Sequence, residues 1–177
     1  MRKYITLFAA ALLLSSCIPV QDFGGYWNRG TVDSSLLGKW PAKNSQDYEL
    51  VTERKGVYYI DEVKKGRKQP EDGMVAKTLY AGKYTFLMLK DPKSDINVGI
   101  ARYKIKHRTL QFYALSTKAM SIFLKKKYPN VKNIQILKCK KCFFNGSLVI
   151  HTLDKSVYTV LKNIPDTKKF WMPDGEL

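Results

Sequence analysis

Histidine and cysteine are scarce in this chain, and acids are few beside its cations. It carries two histidines, three cysteines and 15 acidic residues against 31 lysines and arginines, a formal charge of +16. With so few histidines, and no serine set in a Gly-x-Ser-x-Gly turn, a hydrolase triad has no support. The adjacent carboxylates Asp61-Glu62 and Glu71-Asp72 do not make an acid and base pair. Neighbours on a strand point to opposite faces, and the second pair falls in a charged loop. No catalytic constellation emerges, and no cofactor or metal is expected. Also missing are any internal repeat and any apolar run of the ~18 residues that a membrane-spanning helix needs.

What is present begins at the first residues. A basic start (Arg2, Lys3) leads into an apolar run from Tyr4 to Leu14, broken only by Thr6, then into Leu14-Ser15-Ser16-Cys17. This layout is that of a secretory signal. Its last four residues resemble the lipobox of bacterial lipoproteins. That resemblance implies a signal peptide over residues 1–16, cleavage before Cys17, and lipidation (palmitate among the acyl chains) of Cys17 as the first mature residue. It also gives a use to a thiol that an odd cysteine count would leave unpaired in an oxidising compartment. Ile18 follows in place of the aspartate that favours inner-membrane retention, so the implied destination is the cell envelope, and the outer membrane where the host has one.

Beyond Cys17, 29 cations face 15 acids. An exported chain meets no nucleic acid, so the excess points to lipid head groups, lipopolysaccharide, wall polymers or acidic proteins. Arginine is scarce: 24 lysines stand against five arginines after residue 16. Planar, bidentate phosphate recognition has few side chains to draw on. The densest cluster, Lys64, Lys65, Arg67 and Lys68 around Gly66, is the candidate anion-binding loop.

Residues 17–35, with Pro19, Gly24-Gly25 and Gly30, read as the lipidated cysteine and a flexible tether. Phe23, Tyr26 and Trp27 within it would rest at the membrane interface or dock on the domain. From residue 36 short apolar runs alternate with turn signals, the pattern of an antiparallel meander. Strands are expected near Tyr48 to Glu53, Val57 to Val63, Met74 to Tyr80, Tyr84 to Leu89, Val98 to Lys106 and Leu110 to Leu115. Ser116 or Thr117 then caps a helix ended by Pro129. A short strand Ile134 to Leu137 and a strand-like Ser147 to His151 flank an Asn145-Gly146 turn. A second helix, opened by Thr152 or Asp154, carries the stripe Val157, Val160, Leu161 and Ile164, and Phe170-Trp171-Met172-Pro173 should dock.

The segment Leu37-Gly38-Lys39-Trp40, followed by hairpin-connected strands, resembles the opening of lipocalins and lipid-anchored lipocalin-like domains. The resemblance implies a structural role for Gly38 and Trp40, the indole closing one end of a barrel. The expected fold is α+β and mainly β: one domain over 36–177, a curved sheet or half-open barrel of six to eight strands packed by one or two C-terminal helices.

Cys139-Lys140-Lys141-Cys142 is the sharpest chemical motif. A structural disulfide is the expected state; a redox pair, whose lysines would stabilise a thiolate, or half of a zinc site completed by His107 and His151, are the alternatives. The expected function is that of a lipid-anchored, non-catalytic binding module for an amphiphilic or anionic envelope component or a partner protein. The second expectation is an envelope thiol-disulfide or metal-handling protein using Cys139 and Cys142.

Overall fold

The computed structural model describes residues 17–41, 46–68, 73–94, 96–137 and 147–176. Twelve strands join one curved, mostly antiparallel sheet that does not close on itself. Its centre is the meander: β3 (Tyr48–Arg54), β4 (Val57–Lys64), β6 (Met74–Ala81), β7 (Tyr84–Lys90), β8 (Asn97–Lys106) and β9 (Thr109–Leu115), with the two-residue β5 (Arg67–Lys68) folded back on β4. Strand β2 (Gly38–Pro41) extends the β3 edge. At the other side β8 forks. Gly99 to Ala101 pair with β1 (Cys17–Asp22), whereas Arg102 to Lys106 pair with β9. Strand β1 is continued by β11 (Ser147–Thr152) in parallel and then β10 (Ile134–Leu137), while β12 (Trp171–Glu176) lies along β9.

Two helices cover one face. In α2 (Thr117–Lys127), Ser116 Oγ accepts the Ala119 amide at 3.3 Å, and Lys125, Lys126 and Lys127 meet the negative end of the helix dipole. In α3 (Lys155–Asn163), Asp154 caps the Val157 amide at 2.8 Å. Ala119, Met120 and Phe123 from the first, and Val157, Val160 and Leu161 from the second, form a core with Ile18, Val20, Phe86, Met88, Ile100 and Ile150. The opposite, concave face holds a second core: Leu36, Trp40, Val51, Tyr58, Ile60, Leu87, Leu89, Leu110 and Phe112. Both faces of the central strands are buried, which is why β7 reads as nearly continuous apolar sequence.

Residues 17–35 are not a tether. They contain β1, the short helix α1 (Tyr26–Arg29) and the start of a 3-10 turn (Ser34–Leu36), and they bury Ile18, Val20 and Phe23 in the first core. The alternation of Ile18 and Val20 across Pro19 is that of a half-buried strand. Partners distant in sequence, Gly99 to Ala101 and Ile150 to Thr152, supply the pairing that overrides the proline and glycine signals. The chain then changes faces. β4 and β6 pair only from Tyr58 and Ala76 toward Ile60 and Met74, and Thr31 bridges Thr78 in the gap beyond. Gly30 sits close against β6 there: a Cβ would stand 2.8 Å from Lys77 Cβ and 2.5 Å from the mobile end of Met88. On the concave side Tyr58 Oη accepts the Asp33 amide, Thr78 Oγ1 lies 3.0 Å from Tyr58 Oη and 3.2 Å from Tyr103 Oη, and Tyr103 donates to Asp33 Oδ2 at 3.3 Å. These hydroxyls fasten the crossing segment to three strands.

Among the described residues one charge is almost wholly enclosed. Arg102, 1% exposed, donates from Nη2 to Asp166 Oδ1 at 2.8 Å, and its Cζ lies 4.4 Å, 4.6 Å and 4.5 Å from the ring centres of Tyr84, Tyr113 and Trp171. Its Nε and Nη1 have no hydrogen-bond partner among the described residues, so aromatic faces supply most of its solvation. Lys104 adds a second, longer contact to Asp166 at 3.6 Å.

Candidate binding groove

The space inside the concave core is small. Leu36, Trp40, Val51, Tyr58, Ile60, Leu87, Leu110, Phe112 and the edge of Glu49 enclose a cavity of about 20 Å³, one water's worth. Trp40, 6% exposed, lines it with its indole tied to the Leu36 carbonyl at 2.7 Å. Tyr58, Tyr84 and Tyr103 on the central strands are buried, whereas Tyr80 is half exposed.

A wider, open concavity lies where α1 and α3 meet. Strand β1 ends at Asp22, whose carbonyl accepts the Leu153 amide at 2.8 Å and whose carboxylate accepts the Gly24 amide at 2.8 Å. Gly24, at φ +52, turns the chain within contact of the Leu153 carbonyl, a conformation that glycine adopts without strain. That turn sets α1 beside α3. The Tyr26 and Tyr158 rings stack at 5.2 Å and 17°, and Tyr158 Oη donates to the Tyr80 carbonyl at 2.9 Å. The Arg29 Cζ lies 5.3 Å from the centre of the Tyr26 ring. Between these walls an open groove of about 710 Å³ is lined by Gly24, Gly25, Thr152, Asp154, Lys155, Thr159, Lys162 and Asn163 besides Tyr26, Arg29 and Tyr158.

Its charge is unbalanced. Arg29, Lys155 and Lys162 are the cations of the lining, and Asp154 is its one acid. Asp154 is spent on structure: Oδ1 accepts from Val157 N at 2.8 Å and Ser156 Oγ at 2.6 Å, and Oδ2 from Asn133 Nδ2 at 2.6 Å. Burial would raise its pKa, but these donors outweigh burial and hold the carboxyl below the usual aspartate range. Burial pushes the Tyr26 phenol up, with Arg29 opposing the shift, so it stays a neutral donor at physiological pH. The groove therefore offers three cations, amide and hydroxyl groups and a rigid aromatic wall to an anionic, hydroxyl-bearing ligand.

The residues singled out from the sequence lie elsewhere. Lys64, Lys65, Arg67 and Lys68 form the β4–β5 hairpin, with Lys65 and Gly66 at its tip. Lys64 pairs with Glu62 at 2.8 Å and Lys68 with Asp61 at 2.7 Å, so part of that charge is neutralised locally. Gly38 and Trp40 open β2. Cys139 and Cys142 lie outside the described residues. His107 occupies the β8–β9 turn at φ +49, and His151 sits between Gln21 Oε1 at 2.8 Å and Gln135 Oε1 at 2.9 Å. Among the described residues no three His, Cys, Asp or Glu side chains converge to hold a metal.

Tyr26, expected to rest at the membrane interface or dock on the domain, packs against the first core; Arg29, Lys155, Tyr158 and Lys162 escaped sequence reasoning. Their one local signal was a Gly-Gly followed by an aromatic, read as linker. No known protein family, curated protein or solved structure matches this chain.

Proposed function

We propose that this chain is a lipid-anchored cell-envelope protein, lipidated at Cys17, whose domain is a non-catalytic module that binds an anionic component of the envelope in the α1–α3 groove. The ligand class is a phosphate- or carboxylate-bearing saccharide, as in lipopolysaccharide or an anionic wall polymer. In a host with two membranes the anchor lies in the outer one. The observation that carries the binding role is the charge of the groove: Arg29, Lys155 and Lys162 line it, and Asp154 is committed to capping α3. The anchor follows from Leu14-Ser15-Ser16-Cys17 at the end of a short apolar run.

Titration calorimetry of the protein with lipopolysaccharide, with a phosphate-substituted wall polymer and with a neutral polysaccharide tests it. The anionic ligands should bind and the neutral one should not. Combined Arg29→Ala, Lys155→Ala and Lys162→Ala substitution should weaken binding by about tenfold or more, each exposed contact contributing ~0.5–1 kcal/mol, and raised salt should weaken it as well. Equal binding of neutral polysaccharide, or an unchanged triple variant, overturns the assignment. Intact mass of the membrane-extracted protein reports the anchor: lipid on Cys17, and none after Cys17→Ser.

A further inference from the structure

The position of Cys17 within β1 carries a consequence for how the molecule sits on a membrane. Cys17 is paired with Ala101, and its Sγ lies over Gly99, 2.5 Å from where a Cβ on that glycine would be. No flexible residues separate it from the folded sheet. Alternation puts Cys17, Pro19 and Gln21 on one face of β1, while Ile18 and Val20 enter the helix-covered core. On the same face as Gln21, the neighbouring strands present His151 and Gln135, which the glutamine–histidine–glutamine contacts at 2.8 Å and 2.9 Å establish directly. By the same alternation Val149 and Leu137 belong there, and Leu137 is 42% exposed.

We infer that this face, made by β10, β11 and β1, is the membrane-apposed surface of the protein, and that its occupant is the head-group layer of the bilayer holding the Cys17 lipid. The inference rests on lipidation of Cys17. Cys17 packs against the edge of the second core, so lipidation lifts its sulfur off Gly99; the acyl chains then enter the bilayer within a side chain's length of Pro19, and the face beside them is drawn down with them. Its composition suits the contact. Pro19, Gln21, Gln135, Leu137, Val149 and His151 include no lysine, arginine or carboxylate, in a chain with 31 cations and 15 acids. Amide and imidazole groups flanked by aliphatic ones meet a polar, partly dehydrated layer without burying a formal charge. The orientation also places the groove. Val157, Val160 and Leu161 of α3 belong to the buried cluster on the opposite face of these strands, together with Val20 and Ile150, so the groove beside α3 lies on the side away from the membrane.

The test uses the lipidated protein extracted from membranes and reconstituted in phosphatidylethanolamine and phosphatidylglycerol vesicles. p-Acetylphenylalanine replaces Gln135 or Leu137 on the proposed face, or Lys126 on the exposed side of α2, and carries an oxyamine nitroxide that leaves the cysteines untouched. Labels at Gln135 and Leu137 should be shielded from a water-soluble nickel relaxant by about fivefold relative to Lys126, as expected at a head-group interface. A Gly/Ser insert of about ten residues between Cys17 and Ile18, spanning roughly 15–20 Å, should abolish the difference while vesicle binding persists. Equal relaxation at all three positions in protein whose mass carries the lipid overturns the orientation alone. A mass without lipid removes the anchor and the orientation together.

Discussion

Replacing Asp166 by asparagine isolates what the buried guanidinium needs. Removing one member of a buried ion pair costs about 3–5 kcal/mol, most of it the penalty for the charge left behind. Two features reduce that figure here. Asp166 is 38% exposed, so water already screens the pair, and Arg102 keeps three ring faces at 4.4–4.6 Å. Each such face contributes about 0.5–2 kcal/mol when desolvated. The expected loss for Asp166→Asn is therefore about 2 kcal/mol, or a fall in Tm of about 4–8 °C for a domain of this size. Arg102→Met removes the charge and the two unpartnered N–H groups while keeping most of the bulk, so it should fall within about 1.5 kcal/mol of the parent. The pH dependence follows from the carboxyl. Burial raises the Asp166 pKa, but the Arg102 hydrogen bond and the charges of Arg102, Lys104 and Lys83 outweigh it and hold it below the usual aspartate range. A carboxyl lowered in the folded state contributes stability that is fully present above its unfolded pKa of ~3.9 and is lost as pH falls through the folded value. The gap between parent and Asp166→Asn should thus be constant near neutrality and narrow in acid. Calorimetric melts of the three proteins from pH 7 to pH 3 measure it. A larger loss for Arg102→Met than for Asp166→Asn, or a gap that widens in acid, refutes the reasoning.

Gly99→Ala places a Cβ 2.3 Å from the Ile18 carbonyl oxygen and 2.5 Å from Cys17 Sγ, so β1 must part from β8; a loss of about 3 kcal/mol or more is expected, and urea denaturation within 0.5 kcal/mol of the parent would contradict the register. In protein produced without its leader, and so without lipid, burial pushes the Cys17 thiol up to about 12. Peptide-resolved alkylation at pH 8 should then modify Cys17 roughly a thousandfold more slowly in the folded chain than in urea, the ratio of thiolate available; equal rates would show that the sulfur does not rest over Gly99.

The mainly β, curved architecture was legible because most meander strands, β4 and β6 excepted, meet their partners across a short turn, so local alternation and turn residues were sufficient information. The two helices were legible for a similar reason: Ser116 and Asp154 cap within three residues of themselves. The first strand was not. Pro19, Gly24 and Gly25 are honest local signals for a linker, and they are overruled by pairing with Gly99 to Ala101 and Ile150 to Thr152, which no window of sequence contains. The groove was hidden by the same distance. Tyr26 and Tyr158 become one wall only after β1 has been laid between β8 and β11, and the aromatics that stood out near Gly24-Gly25 carried no sign of that partner.

The parallel pairing of β1 with β11 also sets a timetable. Gln21 and His151 are 130 positions apart, and the strands that carry them are neighbours. Strand β1 is therefore among the last elements to be sheltered, since closing so long a loop is entropically costly before its contacts reward it. Until Ser147–Thr152 has been made and delivered, Ile18, Val20 and Phe23 have half a binding place at most. A chain shortened before Ser147 would lose the fit of its opening residues as well as its own end, leaving an apolar strand exposed to aggregation or to a holding chaperone.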